Sequence, residues 1–338
     1  MFQLRIFSSL AAFLVLTTLQ FASALGQTKV TLGVAAMSPR PIPLLIAQEQ
    51  GLFAKQGLEA RIVLIKGAPI LVASLISGDL EIGYTGGTPV LGAAASGPHL
   101  KILASISSKL THMMLAHPNL KTPEQLRGKR FGIQSLGGTN WMHTILALEH
   151  VGLDVKRDNL NLLMIGDSVV IGQSLEAGRV DAVVLDGALA RRLISKGFSV
   201  IADLAPANIP MVNQALVASP DFLQKRPELA ERILMVLVDS LAYTLAPLNK
   251  TVVVRTIMRR LKIDDAKVGE DGYQDLMTSI ERKPFTSLEG LRNIRRLMAT
   301  QNPKTANVKV EDLVDSRIIR KLDENGYMDK VAALYNLK

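Results

Sequence analysis

The sequence predicts an α/β protein of two lobes, each a mainly parallel sheet flanked by helices. From Lys29 onward, short apolar runs alternate with longer amphipathic runs, which is the pattern of strand–helix–strand units. The segment 74–81 recurs one hundred residues later as 174–181, and in both copies a predicted helix ends on glycine before a buried strand. Single hydrophobic cores stop growing at about 300 residues, so a chain of 338 residues favours two lobes.

The first series of elements runs to about residue 106. In its first helix, Leu44, Ala47 and Leu52 fall on one face, and Gly57 is typical of a residue that follows a helix. Pro89 is typical of the first position of a helix. The strands of this series are predicted at 30–35, 60–65, 80–84 and 101–106, and its helices at 43–55, 69–77 and 88–96.

A second series begins near residue 129. Its strands are predicted at 129–134, 160–165, 181–185 and 199–202, and its helices at 139–150 and 168–177. After a further strand at 214–218, helical spacing of apolar residues predicts helices at 228–245, 252–261, 272–280, 287–298 and 317–322. We therefore expect lobe 1 to comprise residues 25–112 and 212–338, lobe 2 to comprise residues 113–211, and hinges to lie at 107–118 and 205–213.

The first 24 residues differ from the rest of the chain. Arg5 is their only charged residue, an unbroken apolar run covers 10–16, and Ala22, Ser23 and Ala24 supply small residues at a cleavage position. The apolar run is shorter than the roughly 18 residues needed to span a bilayer, so we expect a cleaved secretory signal peptide at 1–24 and not an uncleaved anchor. The mature protein is then expected in the periplasm, soluble and without a lipid anchor.

Composition excludes several functions. The chain carries 39 Lys+Arg, 30 Asp+Glu and no cysteine, which removes disulfides, thiolate metal sites and cysteine nucleophiles. It contains no Gly-x-Ser-x-Gly elbow, His-Glu-x-x-His helix, P-loop or dinucleotide fingerprint, so we expect no catalytic residue, no cofactor and no metal. The five histidines are expected to be solvated or on helix surfaces. Scattered basic residues and only 4% aromatic residues argue against nucleic acid as a partner.

Three polar, glycine-containing loops follow predicted strands and lead into helix N-termini. Ligands of open α/β sheets bind beyond the carboxyl ends of the strands, where helix N–H groups attract negative charge and glycine lets the backbone approach closely. We therefore predict a cleft that binds a small polar or anionic molecule between the lobes. The candidate ligand-binding residues are Ser38, Arg40, Tyr84, Thr85, Gly87, Thr88, Ser135, Gly138, Thr139, Asn140, Trp141 and Asp186.

Several of these candidates have an alternative role that the sequence leaves open. Trp141 either stacks on the ligand or packs its helix onto the sheet. Tyr84 either offers its hydroxyl to the ligand or is buried and bonded to the backbone. Asp186 is expected to cap the helix that follows it, and Arg40 is either the partner of an acid or an ordinary surface arginine.

Three motifs occur in order along the chain: AQEQGLFAKQGL at 47–58, LRGKRFGI at 126–133 and GRVDA at 178–182. Together they resemble the nitrate, sulfonate and taurine group of solute-binding proteins of ABC importers, and the resemblance spans roughly residues 30–218. It implies a two-lobed type II periplasmic binding protein fold that closes on its ligand by hinge motion. The binding loops of the family match residues 38–40, 85–88 and 135–140, with Asp186 near them.

The resemblance implies a non-enzymatic protein that delivers a small-molecule ligand to an ABC permease at the membrane, and we expect it to be a monomer. Ligands of the group include sulfonates, nitrate, taurine, pyrimidines and aromatic acids, and the sequence does not choose among them. Two alternatives stay open: an enzyme on the same fold, similar to the thiamine-pyrimidine synthases, and a periplasmic ligand-sensing protein. The lack of cysteine disfavours the enzyme, whose iron segment is rich in cysteine.

Overall fold

The computed structural model of the protein describes residues 27–35, 40–65, 67–97 and 99–337. The predicted signal peptide at 1–24 and the candidate Ser38 lie outside these residues. The described residues form two sheets of five strands each, and helices flank both sheets, which confirms the predicted α/β class. No helix among them is both long enough and apolar enough to cross a membrane.

The first sheet has the spatial order β2-β1-β3-β10-β4. Its strands are β1 (Thr28–Val34), β2 (Leu58–Leu64), β3 (Ile82–Thr85), β4 (Lys101–Lys109) and β10 (Pro210–Ala218). β1 pairs in parallel with β2 and β3, and Leu32 lies opposite Ile82 in that register. β10 is antiparallel to both β3 and β4, so four strands run in one direction and β10 runs in the other.

The second sheet has the matching order β7-β6-β8-β5-β9. Its strands are β5 (His112–Ala116), β6 (Arg130–Ile133), β7 (Asn161–Met164), β8 (Ala182–Asp186) and β9 (Ser199–Asp203). β6 pairs in parallel with β7 and β8, whereas β5 is antiparallel to β8 and β9. Each sheet is therefore mainly parallel with one reversed strand, as predicted for the two lobes.

The chain passes between the sheets twice, at residues 110–111 and 204–209. The two crossings are hydrogen-bonded at both ends. Leu110 N donates to Ile209 O at 2.9 Å, and Leu204 N donates to His112 O at 3.0 Å. They therefore form a narrow two-stranded connection between the sheets.

The helices cover both sheets and form most of the chain after β10. They are α1 (Ile42–Glu49), α2 (Leu52–Lys55), α3 (Ala68–Ser77), α4 (Gly87–Ala94), α5 (Thr139–His150), α6 (Ser168–Glu176), α7 (Gly187–Ile194), α8 (Pro220–Lys225), α9 (Pro227–Leu245), α10 (Lys250–Leu261), α11 (Ala266–Ser279), α12 (Leu288–Gln301), α13 (Arg317–Glu324) and α14 (Tyr327–Leu334).

Local sequence explains how the repeated segments fold. Gly78 follows α3 with φ 84° and Gly178 comes shortly after α6 with φ 65°, and glycine enters this left-handed region without steric cost. Asp167 begins α6 by accepting hydrogen bonds from the N–H groups of Val169 and Val170. Both copies thus end a helix on glycine before a buried strand, as the sequence predicts.

Three predicted elements need correction. The helix expected at 43–55 is divided into α1 and α2, because Gly51 between them has φ 66°. The segment 107–118, expected to be a hinge, contains the end of β4 and all of β5, because 112–116 pairs with two strands. The hinge expected at 205–213 includes the start of β10, because Pro210 pairs with Lys109 of β4. Helices α8 and α14 are absent from the sequence prediction. By contrast, α5 has the bounds predicted for it, 139–150.

Two hydrophobic clusters pack against the first sheet. One cluster packs α9, α13 and α14 against one face, with Leu237, Ile319 and Val331 buried there. The other joins residues of both sheets, including Ala215 of β10 and Val184 of β8. Because this second cluster is continuous, the carboxyl ends of strands from both sheets are held close together.

Helix α12 lies directly against the backbone of β10. A side chain added at this contact tests how closely the helix packs on the strand. A Cβ built on Gly290 would lie 2.7 Å from the carbonyl carbon of Met211, so Gly290→Ala is expected to lower the free energy of unfolding by about 1–3 kcal/mol. In α6, a Cβ on Gly172 would meet nothing closer than Leu185 Cδ1 at 3.6 Å, so Gly172→Ala is expected to raise it by about 0.5–1 kcal/mol. Urea unfolding of both variants measures these changes, and an equal effect in the two would contradict the packing.

Candidate functional site

The carboxyl ends of strands from both sheets meet at one cleft. A small cavity, open in part to solvent, lies there between the lobes. It is lined by Val34 and Ala35 after β1, by Tyr84, Thr85 and Gly86 after β3, by Gln134 and Thr139 of the second lobe, and by Arg40, Pro41, Ala68 and Gln214. The structure therefore brings residues of all three predicted loops to one place, namely Arg40, Thr85 and Thr139.

Helices α4 and α5 begin at this cleft from opposite lobes. Their N-cap residues, Gly86 and Gly138, have extended backbones and no side chain that can cap the helix. A Cβ built on Gly86 would lie 2.5 Å from Thr139 Oγ1, so the two helix ends face each other across a narrow gap. The first N–H groups of a helix have no partner within it, and they carry a partial positive charge.

Four hydroxyl groups around these helix ends are buried without a hydrogen-bond partner among the described residues. They belong to Thr85, Thr88, Ser135 and Thr139. Thr88 is 0% exposed, and Ser135 Oγ lies over Gly138, where an added Cβ would be 2.7 Å away. Buried polar groups in proteins almost always have a partner, so a concentration of unpartnered hydroxyls indicates a surface shaped for a polar ligand.

Arg40 forms an ion pair with Asp186 across the cleft. Arg40 Nε lies 3.5 Å from Asp186 Oδ1, and His112 Nε2 lies 3.2 Å from the same oxygen. Burial alone would raise the pKa of the Asp186 carboxyl, but the charge of Arg40 and the contact with His112 lower it to about 2. Asp186 precedes α7 without capping it through its side chain, so the predicted capping role is wrong. Arg40 is also not a surface arginine, since its side chain is 11% exposed.

Two histidines lie behind this ion pair. The rings of His112 and His143 are 3.8 Å apart between centroids, and the residues are 1% and 0% exposed. The expectation that the histidines are solvated or on helix surfaces is therefore wrong for both. His143 Nε2 lies 2.8 Å from Asn213 Oδ1, so Nε2 carries the proton that this oxygen accepts. Burial, His112 and Arg40 hold the pKa of His143 well below its usual value of 6.5, which keeps its ring neutral.

Two side-chain amides fix the second-lobe loop. Gln134 Nε2 donates to Ala35 O at 2.7 Å and so ties the loop to the first lobe. Asn140 Nδ2 donates to Val184 O at 3.1 Å, while its Oδ1 accepts from Gln134 N at 3.0 Å. Both ends of the Asn140 amide are therefore used to hold the loop against β8.

The structure separates the remaining candidates into different surroundings. Tyr84 is buried, and its hydroxyl donates to Arg40 O at 3.0 Å, which is the backbone-bonded alternative. Gly87 begins α4, where an added Cβ would lie 2.8 Å from Leu291 Cδ2. Trp141 is 7% exposed and packs in the hydrophobic core of its own lobe, which is the packing alternative.

Sequence reasoning missed several residues of the site. A second small cavity, likewise open in part to solvent, lies on the hinge side of the first. Its polar lining includes Asn213, Gln214 and Asp275 beside Arg40 and Asp186. The polar pair at 213–214 inside an otherwise apolar strand is a signal that could have pointed to the cleft. Asp275 lies on a C-terminal helix, and nothing near it in the sequence marks it.

Comparisons with known proteins agree with this architecture. The chain matches the family model described as NMT1/THI5 like over residues 38–247. A binding protein from Brucella abortus (strain 2308) is 32% identical over 137 residues, which are 40% of this chain and 41% of that protein. The match thus spans about two fifths of the length of that relative.

Solved structures share the fold over most of the chain. The alkanesulfonate-binding protein SsuA from Xanthomonas axonopodis pv. citri, bound to MOPS, superposes with a TM-score of 0.69 and 17% identity, covering 87% of this chain and 100% of that chain. The desulfurization enzyme DSZB superposes with a TM-score of 0.65 and 16% identity, covering 88% and 99%. The predicted two-lobed type II periplasmic binding protein fold is confirmed.

The buried His143 makes stability depend on pH. Its pKa is lower in the folded chain than in the unfolded chain, so its contribution is complete above pH 6.5 and is lost as the pH falls below that value, by at most about 1.4 kcal/mol per pH unit. The variant His143→Gln removes this group, so the difference in unfolding free energy between wild type and variant is expected to shrink from pH 8 to pH 5. Urea unfolding at the two values measures it. The control His150→Gln changes an exposed residue of the same helix, and a pH-independent difference for His143→Gln would contradict burial as a neutral ring.

Proposed function

The chain belongs to the NMT1/THI5-like family, as its motifs led us to expect, and from that membership and the cleft geometry we propose that it is an exported solute-binding protein of an ABC importer. In this role it captures a small anionic or polar solute between its lobes and delivers it to a membrane permease. It performs no chemical step on the solute.

The observation that carries this proposal is the meeting of two helix N-termini from opposite lobes, surrounded by unpartnered hydroxyls. Helix N–H groups and the hydroxyls of Thr85, Thr88, Ser135 and Thr139 are all hydrogen-bond donors. Oxygen atoms of a sulfonate, carboxylate or nitrate accept such bonds, and the helix dipoles favour their negative charge. Donors from both lobes surround the acid group, so the ligand stabilises the closed form.

The remaining residues of the site support this head-group pocket. Gly138 lets the backbone approach the ligand, Gly87 makes room for Leu291 against α4, and Ser38 stays a proposed ligand contact of the 38–40 loop. Asp186 Oδ1 lies 3.5 Å from Arg40 Nε and holds the Arg40 side chain in place. Because Arg40 is already paired with Asp186, it contributes positive charge near the ligand without a direct bond to it. Tyr84 and Asn140 position the loops through their backbone contacts, and Trp141 packs α5 onto its sheet.

Lobe closure follows from the two connections between the sheets. We place the hinge at 110–111 and 204–209, so that lobe 1 comprises the residues up to 109 and from 210 onward, and lobe 2 comprises residues 112–203. The partners are then a small-molecule ligand in the cleft and the ABC permease at the rim, the protein acts as a monomer in the periplasm, and the signal peptide at 1–24 directs it there. The periplasmic sulfonate-binding proteins from Methylobacillus flagellatus KT and Escherichia coli, which are similar to this chain in fold, support this location.

The fold of DSZB supports one other candidate, an enzyme that acts on a sulfur-containing acid. The chain contains no cysteine, and the polar groups of the cleft are donors, a neutral imidazole and a carboxylate held at low pKa by its partners. These groups suit the binding of an anion better than a chemical reaction on it. Recovery of an unchanged ligand after incubation distinguishes the two, since conversion of the ligand would favour the enzyme.

Loss of single hydroxyls is expected to weaken ligand binding without unfolding the protein. A thermal-shift screen of the mature protein with sulfonates, nitrate, taurine, pyrimidines and aromatic carboxylates identifies a ligand, because saturation at about 100 times Kd adds about 2.7 kcal/mol of stability. For that ligand, Thr139→Val and Thr88→Val are each expected to raise Kd about tenfold or more, since each removes a donor to a charged group.

The matched control for these variants is Thr144→Val. Thr144 lies on the same helix as Thr139, but its hydroxyl donates to Asn140 O at 3.2 Å and so is already used. This variant is expected to keep the wild-type Kd. The proposal fails if no compound of the screen raises the melting temperature, or if all three variants bind as the wild type does.

A further inference from the structure

Two ion pairs join the lobes outside the head-group pocket. Arg296 of α12, in lobe 1, donates from Nη1 and Nη2 to the two carboxylate oxygens of Glu149 of α5, in lobe 2, at 2.7 and 2.8 Å. Arg191 of α7, in lobe 2, donates from Nη2 to Oδ1 of Asp275 of α11, in lobe 1, at 3.3 Å. Glu149, Arg296 and Arg191 line neither of the two cavities of the cleft.

The two pairs lie on opposite faces of the second sheet. Met114 and Val184 pack in the same hydrophobic cluster as α5. Leu115 and Leu185, the next residues along the same two strands, pack in the cluster of α7. Successive side chains of a strand point to opposite faces of its sheet, so α5 and α7 cover opposite faces. Lobe 2 is therefore tied to lobe 1 on both faces of its sheet.

Helices α7 and α11 approach closely where the second pair forms. A Cβ built on Gly272 would lie 2.7 Å from Ala188 Cβ, and one built on Gly187 would overlap Asp275 Oδ2. This oxygen is buried without a hydrogen-bond partner in the part of the chain that the structure describes. Burial raises the pKa of the Asp275 carboxyl, and Arg191 offsets part of this effect. Loss of the Arg191 charge would leave a buried carboxylate without its cation, which disfavours contact between the lobes.

We propose that Glu149–Arg296 and Arg191–Asp275 are positioning pairs that form when the lobes close, and that they set the affinity for a ligand by stabilising the closed form. A contact that exists in one of two conformations shifts the equilibrium toward that conformation. When a ligand binds the closed form, the same shift strengthens the binding of every ligand by one common factor. This link to affinity rests on the proposed function, whereas the effect of the pairs on closure does not.

The distance between two spin labels measures closure without a ligand. The chain contains no cysteine, so Ile70→Cys and Val170→Cys introduce its only labelling sites. Both native side chains are exposed, and they lie in the first turns of α3 and α6, one in each lobe. In this labelled protein, Arg296→Gln is expected to raise the ratio of open to closed molecules about two- to fivefold, the range of an exposed pair with good geometry. Arg191→Gln is expected to raise it by a larger factor, because the carboxylate that it leaves is more buried.

Each variant has a matched control on its own helix. Arg292 of α12 pairs with Glu311 of the same lobe and is as exposed as Arg296, at 53% and 54%. Arg192 of α7 pairs with Glu176 of the same lobe. Arg292→Gln and Arg192→Gln remove an arginine charge without removing a contact between the lobes, so they are expected to leave the label distances unchanged.

Exchange of the two charges separates an ion pair from a loss of packing. Glu149→Arg alone brings two cations together and is expected to open the lobes more than Arg296→Gln does. Glu149→Arg combined with Arg296→Glu restores the pair and is expected to restore the wild-type distances. The inference is overturned if Arg296→Gln or Arg191→Gln leaves the distances unchanged, if the controls shift them equally, or if the unliganded wild type shows only the open distance.

Affinity provides a second measurement once a ligand is identified. Arg296→Gln and Arg191→Gln are each expected to raise Kd by one common factor for all compounds that bind, because neither residue lines the cavities. A changed ratio of Kd values between two compounds would show that these residues act on the ligand directly, and the inference would fail. A screen that yields no ligand contradicts the proposed function alone, since the label distances of the unliganded protein still decide whether the pairs hold the lobes closed.

Discussion

The arrangement of this molecule depends on one constraint: polar groups buried between two lobes must find hydrogen-bond partners. The ends of α4 and α5 and the hydroxyls beside them lie in a narrow gap that excludes most water. Leaving several such groups unpaired is costly, so the closed arrangement of the lobes and the presence of an acceptor in the gap are energetically linked. Under the proposed function, ligand recognition and lobe closure therefore meet the same hydrogen-bonding requirement.

The polar side chains behind the cleft already bond to other groups of the protein. They therefore do not serve as hydrogen-bond partners for the cleft hydroxyls. Asp186 engages Arg40, and Gln134 and Asn140 use their amides to hold the second-lobe loop. The neutral ring of His143 reaches Asn213 in the opposite lobe without adding charge. Each of these side chains is occupied by a positioning contact, so under the proposed function the hydroxyls serve the ligand, and the net charge near them stays small.

Periodicity in the sequence predicts the fold well, because each strand and helix buries its own apolar face. The helix at 139–150 and the glycine ends of the repeated segments depend on local patterns that the sequence carries in full. Strand β5 is missed because a five-residue run next to another strand has no distinctive period. The burial of His143 is missed because its partner, Asn213, is 70 residues away in the chain. Asp275 reaches the cleft through helix packing that no local motif announces. The site is thus predictable where loops follow strands, and hidden where distant elements complete it.

The paired connections between the sheets have a mechanical consequence. Leu110 is bonded to Ile209 at one end and Leu204 to His112 at the other, so the lobes are joined by a ribbon of two chains and not by two independent tethers. If the lobes open and close as proposed, the two chains of this ribbon bend together. The helix ends of α4 and α5 would then return to the same alignment each time the lobes close.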